Sequence, residues 1–128
     1  MRKVHKNCAG ADIGSREIFI CVESGEVKKF GTVTKELHQA VDFLSQNLVS
    51  SVAMEATGVY WISFYNLVEK AGIEPYLVNP YDSKNLPGRK TDVLDCQWIQ
   101  KLHSHGLMRR CFVPSDYVRE LRSYMRLR

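Results

Sequence analysis

Four acidic residues stand in apolar stretches or at unusual spacing, and they are the side chains most able to do chemistry. Asp12 lies in GADIGS, Glu55 ends the apolar run SVAME, and Asp92 and Asp95 stand three positions apart in KTDVLD. A buried acid is costly unless it has a partner or a bound cation. If the four carboxylates meet, they repel one another unless cations lie between them, and hard divalent ions such as Mg²⁺ or Mn²⁺ prefer oxygen ligands. Two such ions about 4 Å apart can activate an attacking oxygen and stabilise the leaving oxygen of a phosphodiester.

Each acid also has a purely structural explanation when it is considered alone. Asp12 can end a strand and hydrogen-bond the turn at Gly14, and Glu55 can accept from backbone N–H groups at the start of the next helix. Asp92 can be an N-cap, and Asp95 can lie in a first turn that the helix dipole favours. The metal-site hypothesis therefore depends on whether the fold brings the four acids together.

The hydrophobic pattern predicts the elements that would position these acids. The stretch from Cys8 to Thr34 predicts three strands joined by tight turns, because apolar and polar residues alternate there. A helix follows from Thr34, a plausible N-cap, with apolar residues at helical spacing. The remaining predicted elements are the strand SSVAME, the helix ATGVYWISFYNLVEKAG ended by Gly72, the strand IEPYLVN, an irregular loop or short helix over 80–89, a helix from about Thr91 to His105 that ends at Gly106, and a last helix after Pro114.

This element order predicts an α/β fold with a mixed five-stranded sheet flanked by helices, in the order found in ribonuclease H. Glu55 would end the fourth strand, and an adjacent first strand would place it beside Asp12. Ligand-binding crevices of such sheets lie outside the strand ends. Asp92 and Asp95 would project from one helix face and reach the same place.

Composition limits the class of protein. At 128 residues the chain is long enough for one domain with a core. It has no apolar run of membrane-spanning length and no signal peptide, which predicts a cytoplasmic protein that does not enter a membrane. The four cysteines lack metal-site spacing, so we expect unpaired thiols, mostly in the core.

The remaining histidines and tryptophans of the later elements are not assigned to the site. The histidines at 103 and 105 share no face with the acids and are not assigned to the metal. Trp61 and Trp98 are expected to be core or interface residues.

The sequence resembles a known family in four phrases that occur in order: GADIGS, AMEATGVYW, YLVNP and GRKTDVLDCQWIQKL. They are similar to the DEDD-type transposases of bacterial insertion sequences, the group that also contains Piv-like DNA invertases. The resemblance runs from Cys8 to Arg128, with Cys96 standing where the family usually has alanine. It implies a fold similar to RuvC-type Holliday-junction resolvases, the RNase H-like class. It also implies that the four acidic positions, Asp12, Glu55, Asp92 and Asp95, are catalytic ligands of Mg²⁺ or Mn²⁺.

The resemblance implies a division of the protein and a set of partners. Residues 1–110 would form the RNase H-like domain, and 111–128 would begin a helical connector to a C-terminal transposase domain that this sequence lacks. In the family, that second domain carries a serine implicated in strand cleavage, and some members are guided by a structured RNA. The expected function is DNA strand cleavage and transfer during movement of an insertion sequence. The isolated chain is expected to be poorly active or inactive.

Basic residues are concentrated in the last third of the chain, where residues 84–128 carry ten Lys or Arg against four acids. Lys84, Arg89 and Lys90 flank the proposed acidic site and can hold phosphates, although a solvated loop explains them equally well. The final helix places three further arginines on one side, which suits a nucleic-acid backbone, a helical partner in a homo-oligomer, or a plain connector. These residues are Arg119, Arg122 and Arg126.

Three other functions fit parts of the pattern. A non-catalytic nucleic-acid-binding or dimerisation module would use the basic residues without a metal. A RuvC-like structure-specific nuclease would use the same acids. An ATP-binding domain of the sugar kinase and actin fold has a similar first hairpin, but it requires a second homologous half for which this chain is too short.

Overall fold

The computed structural model describes residues 3–113, which form five strands and four helices. A mixed sheet has the strand order β3-β2-β1-β4-β5. The first three strands pair antiparallel, whereas β1, β4 and β5 run parallel. The elements are β1 (Cys8–Ile13), β2 (Glu17–Cys21), β3 (Val27–Gly31), α1 (Thr34–Gln46), β4 (Ser51–Glu55), α2 (Trp61–Lys70), β5 (Glu74–Val78), α3 (Pro80–Asn85) and α4 (Asp95–Ser104).

The two faces of the sheet are covered by different helices because side chains alternate along each strand. On one face, alternate strand residues such as Ile18, Ile20 and Met54 join α1 and α2 in the larger core. On the other face, Ala53 and Val78 pack against Ile99 of α4. The central strand β4 is buried on both faces from Ser51 to Met54, as expected for a strand between two helical layers.

Helix α4 lies unusually close to β1. The Nε2 of Gln100 donates a hydrogen bond of 3.2 Å to the carbonyl of Cys8. A carbon atom added at Gly10 would overlap the carbonyl oxygen of Cys96 and the backbone nitrogen of Gln100. Only a residue without a side chain lets the helix backbone approach the strand this closely.

The predicted strands and the first helix are confirmed, and the segment after β5 is the short helix α3. Gly72 ends α2 as predicted, with a left-handed φ of 81°. Helix α2 begins at Trp61 rather than within ATGVY, because Gly58 adopts a φ of 61° that an α-helix cannot contain. The N-cap of α1 is Val33 rather than the predicted Thr34, which is the first residue of the helix.

The predicted start of the last described helix is wrong. Helix α4 begins at Asp95, not near Thr91. The N–H of Val93 bonds to the carbonyl of Lys90 at 3.2 Å, which closes a turn, and the Gln97 side chain accepts from the N–H of Leu94 at 2.9 Å. These bonds provide partners for the backbone N–H groups of Val93 and Leu94 outside the helix. They fix the start of α4 one residue after Leu94. The helix predicted after Pro114 lies outside the described residues.

Other predictions about the core are also confirmed. All four cysteines are free thiols, and all but Cys111 are buried. Trp61 and Trp98 are core residues. Within residues 3–113, no helix is long and apolar enough to cross a membrane.

His103, near the end of α4, is a buried structural residue. Its Nε2 lies 2.9 Å from the Oγ of Ser51, and its ring stacks on His5 with centroids 4.3 Å apart. Burial, together with the nearby His5 and Arg110, lowers the pKa of His103 to about 4. The imidazole is therefore neutral at physiological pH.

We predict that protonation of His103 destabilises the fold in mild acid. Its pKa lies near 6.5 in an unfolded chain and about 4 in the folded protein. The unfolded state therefore binds more protons between these values, and stability is lost as the pH falls through 6.5 toward 4. The loss reaches about 3 kcal/mol, given the pKa of about 4.

Urea unfolding at pH 7.5, 5.5 and 4.5 measures this loss of stability. The pH slope should be reduced in His103→Gln and retained in the exposed control His38→Gln; equal slopes in all three proteins would contradict the assignment.

We predict that Gly10→Ala destabilises the protein by about 1 to 3 kcal/mol or more, because main-chain atoms of α4 must move away from β1. The matched control is Gly14→Ala, whose added carbon would lie 3.4 Å from its nearest neighbour, the carbonyl oxygen of Glu17. Chemical denaturation of both variants measures the difference. Equal losses of stability would show that the close approach of α4 is not a constraint.

Candidate functional site

The carboxylates of Asp12 and Glu55 lie at adjacent strand ends on the α4 side of the sheet. The parallel ladder pairs Ala11 of β1 with Met54 of β4, so the next residue of each strand is one of these acids. Asp12 is two residues beyond Gly10, and Glu55 is two residues beyond Ala53, both of which face α4. The predicted meeting of these two acids at the sheet edge is thus what the strand register produces.

Asp95 brings a third carboxylate to this edge, since it is the first residue of α4. Together with Asp12 it lines a cavity of about 340 Å³. The other lining residues are Phe19, Arg89, Thr91, Val93, Leu94 and Cys96. The cavity is therefore formed by the end of β1, the neighbouring β2 and the segment that leads into α4.

Asp12 is the least satisfied of these acids. Burial raises its pKa, the negative charges of Asp95 and Glu55 raise it further, and the positive charge of Arg89 lowers it. Among residues 3–113, no donor forms a hydrogen bond with its carboxylate. The turn at Gly14 is closed by the carbonyl of Glu17 at 2.9 Å, so Asp12 does not serve that turn. A half-buried carboxylate in this situation favours a nearby cation.

Glu55 is held by a side chain that the sequence analysis did not identify. The Oγ of Ser83, a buried residue of α3, lies 2.5 Å from the Oε2 of Glu55 and 3.0 Å from the carbonyl of Pro80. The indole N–H of Trp98 in turn donates to the carbonyl of Ser83 at 2.7 Å. No local pattern links Ser83 to an acid 28 residues earlier in the chain. The link exists only because α3 packs between the strand ends and α4.

Asp95 is paired with Arg89. The Nη2 of Arg89 lies 2.7 Å from the Oδ1 of Asp95 and also donates to the carbonyl of Val93 at 2.7 Å. Both side chains are partly exposed. The first-turn position of Asp95 also places its charge at the positive end of the helix dipole.

The prediction that Asp92 shares a helix face with Asp95 is wrong. Asp92 lies in the exposed turn before α4, because the helix begins three residues later. It is not the N-cap either, since that position is Leu94. In the part of the chain that the structure describes, no three His, Cys, Asp or Glu side chains are close enough to hold a metal ion. Asp12, Glu55 and Asp95 thus lie at one edge of the sheet without forming a closed set of metal ligands, and Asp92 lies in the turn outside it.

The donors at this edge are suited to a hard cation. Cys96 lines the cavity, but burial, together with the charge of Asp12, raises its pKa to about 11. The group is a neutral thiol at physiological pH and does not supply a thiolate ligand. The remaining donors are carboxylate oxygens, which suit Mg²⁺ or Mn²⁺ better than zinc or copper.

The predicted phosphate-binding residues have different surroundings. Lys84 on α3 and Lys90 in the turn before α4 are exposed, whereas Arg89 lines the cavity. Arg119, Arg122 and Arg126 lie outside the described residues, as does the helix through which an oligomer was expected.

Comparison with known proteins supports both the fold and the family. The structure of T. thermophilus RuvC in complex with a Holliday junction substrate is similar to this one, with a TM-score of 0.60 and 12% identity over 84% of this chain and 100% of that chain. The predicted RuvC-like, RNase H-like fold is thereby confirmed. Curated protein sequences gave no match. The model of a transposase family, the IS110-type DEDD transposases, matches residues 9–128. The chain therefore belongs to the IS110-type DEDD transposase family, as its four sequence phrases had indicated.

Proposed function

We propose that this chain is the N-terminal catalytic domain of an insertion-sequence transposase and that its acids hold Mg²⁺ or Mn²⁺ at the scissile phosphate of DNA. The observation that carries the proposal is the state of Asp12. It is half-buried, lacks a hydrogen-bond donor among the described residues, and lies beside two other acids that raise its pKa. A structural aspartate would have a donor or a cation close to its carboxylate.

In this proposal three of the metal ligands come from the ends of β1 and β4 and from the start of α4. They are Asp12, Glu55 and Asp95. The bound ion would supply Lewis-acid stabilisation of the charge that develops on the phosphate oxygens. Ser83 keeps Glu55 in one orientation through their hydrogen bond. Asp92, in the exposed turn that leads into α4, is proposed as the fourth ligand.

The proposed substrate is DNA. The similar RuvC structure contains a Holliday junction, and a phosphate backbone complements the basic residues around the cavity. Lys84, Arg89 and Lys90 would hold phosphates without reading the base sequence. We propose the same phosphate-binding role for Arg119, Arg122 and Arg126. We also propose that the segment carrying these arginines mediates self-association. A guide RNA is proposed as a further partner.

Strand cleavage and transfer would require more than this domain. We propose that residues 1–110 form the metal-binding domain and that 111–128 begin a connector to a second domain, which supplies the serine expected from the family. The acids then position the ion and the phosphate. The isolated chain would accordingly bind metal and DNA while cleaving DNA poorly.

We predict that the chain binds Mn²⁺ saturably and that Asp12→Asn and Asp95→Asn weaken binding by about tenfold or more, because each removes a ligand charge while nearly keeping shape. Calorimetric titration measures the dissociation constants. The matched control is Asp42→Asn, an exposed acid of α1 on the opposite face of the sheet. Equal binding by all four proteins would show that these acids do not form a metal site.

The same proteins separate a catalytic domain from a plain binding module. A labelled four-way DNA junction should bind the wild-type chain more tightly in Mn²⁺ than in EDTA, and this difference should disappear in Asp12→Asn. A non-catalytic module would bind equally well under both conditions. A strong preference for the junction over linear duplex would favour a structure-specific nuclease instead.

We predict that Ser83→Ala weakens Mn²⁺ binding by about tenfold, because partners that orient a ligand typically contribute tenfold or more to metal affinity. The control is Ser104→Ala, a buried serine whose hydroxyl bonds, within residues 3–113, only to the carbonyl of Lys101, at 2.8 Å. Mn²⁺ affinity and urea unfolding are measured on both variants. If both lose stability equally and neither loses Mn²⁺ affinity, Ser83 has no role at the site.

A further inference from the structure

Arg89 holds the position that a cation would be expected to hold at this edge. Its Nη2 lies 2.7 Å from the Oδ1 of Asp95 in an ion pair, and it donates a hydrogen bond of 2.7 Å to the carbonyl of Val93. Its charge also acts on Asp12 in the direction opposite to that of the neighbouring acids. The Arg89 guanidinium carries a positive charge, so it compensates these carboxylates while it remains in place.

A divalent ion bound by Asp95 would compete with this guanidinium. Both need the carboxylate oxygens of Asp95, and two cations on one carboxylate repel each other. The ion pair is partly exposed, with the Arg89 side chain at 36% and that of Asp95 at 54%. Pairs of this kind are weak because water and salt screen them, so a divalent ion with several carboxylate ligands should displace the arginine.

Few contacts hold the Arg89 side chain in place. The preceding Gly88 adopts a left-handed φ of 103°, and a side chain added there would meet no atom within 4 Å. Among the described residues, Arg89 is hydrogen-bonded only to Val93, and its single ion-pair partner is Asp95. Loss of those two contacts would leave the guanidinium free beside the cavity.

We propose that Arg89 is an internal counter-ion that competes with the metal for Asp95. This inference rests on the proposed metal function of the three acids. Metal binding and release of the arginine are then one coupled step. Arg89 lowers the metal affinity of the free protein, even though it lies within the site. This is opposite to the effect expected of a residue that helps to hold the ion or merely stabilises the fold.

Calorimetric Mn²⁺ titration of the 128-residue chain tests the competition. Arg89→Met should lower the dissociation constant by about two- to fivefold, the range expected when a partly exposed ion pair no longer opposes binding. Lys101→Met is the matched control, since it removes the same charge from an exposed residue in the last turn of α4, and it should leave the constant nearly unchanged. Arg89→Lys keeps the charge without the planar fork and should lie between wild type and Arg89→Met.

Nuclear magnetic resonance provides a second readout on the wild-type protein. During a Mg²⁺ titration, the guanidinium signals of Arg89, assigned by their loss in Arg89→Lys, should shift and exchange faster with water at the midpoint of metal binding. Unchanged signals at saturating Mg²⁺ would overturn the proposal. So would an Arg89→Met dissociation constant that equals or exceeds that of wild type.

Two results separate this proposal from the function on which it rests. If wild type binds Mn²⁺ and Asp95→Asn does not, but Arg89→Met binds no more tightly than wild type, the metal site stands and the competition is wrong. If neither wild type nor Arg89→Met binds Mn²⁺, the metal site itself is wrong, and the competition is refuted with it.

Discussion

The contact between Gly10 and the backbone of α4 is the constraint on which the rest of the site depends. Because Gly10 has no side chain, the helix lies directly on β1 at Cys96 and Gln100. The helix start is then fixed near the end of the strand, where Asp95 and Asp12 share a cavity. A larger residue at Gly10 would lift the helix and separate these two acids, even if every other element kept its place.

The three acids differ mainly in what their neighbours provide. Glu55 accepts a hydrogen bond from a neutral hydroxyl, which orients one oxygen and leaves its negative charge uncompensated. Asp95 is paired with a full positive charge, and Asp12 has no donor among residues 3–113. An orienting hydroxyl should favour metal binding, whereas a paired cation should oppose it. The chemical nature of each neighbour thus decides the sign of its effect.

Sequence patterns could predict the strands and the meeting of Asp12 with Glu55, because alternation identifies strands and adjacent parallel strands end at the same edge. They could not locate the start of α4. Asp92, Leu94 and Asp95 are all compatible with a helix N-terminus, and the choice depends on the turn at Lys90 and on the bond from Leu94 to Gln97. They could not find Ser83 either, since its bond to Glu55 depends on how α3 packs.

A partly or fully buried titratable group lies near each end of helix α4, and burial favours the neutral form of both groups. At its C-terminal end, burial lowers the pKa of His103, and the neutral ring has a partner in Ser51. At its N-terminal end, burial raises the pKa of Asp12, and the carboxylate has no such partner among the described residues. The same physical cause therefore produces a satisfied, structural group at one end and an unsatisfied one at the other. Because the satisfied end anchors the helix, the unsatisfied carboxylate at the other end is tolerated without loss of the fold.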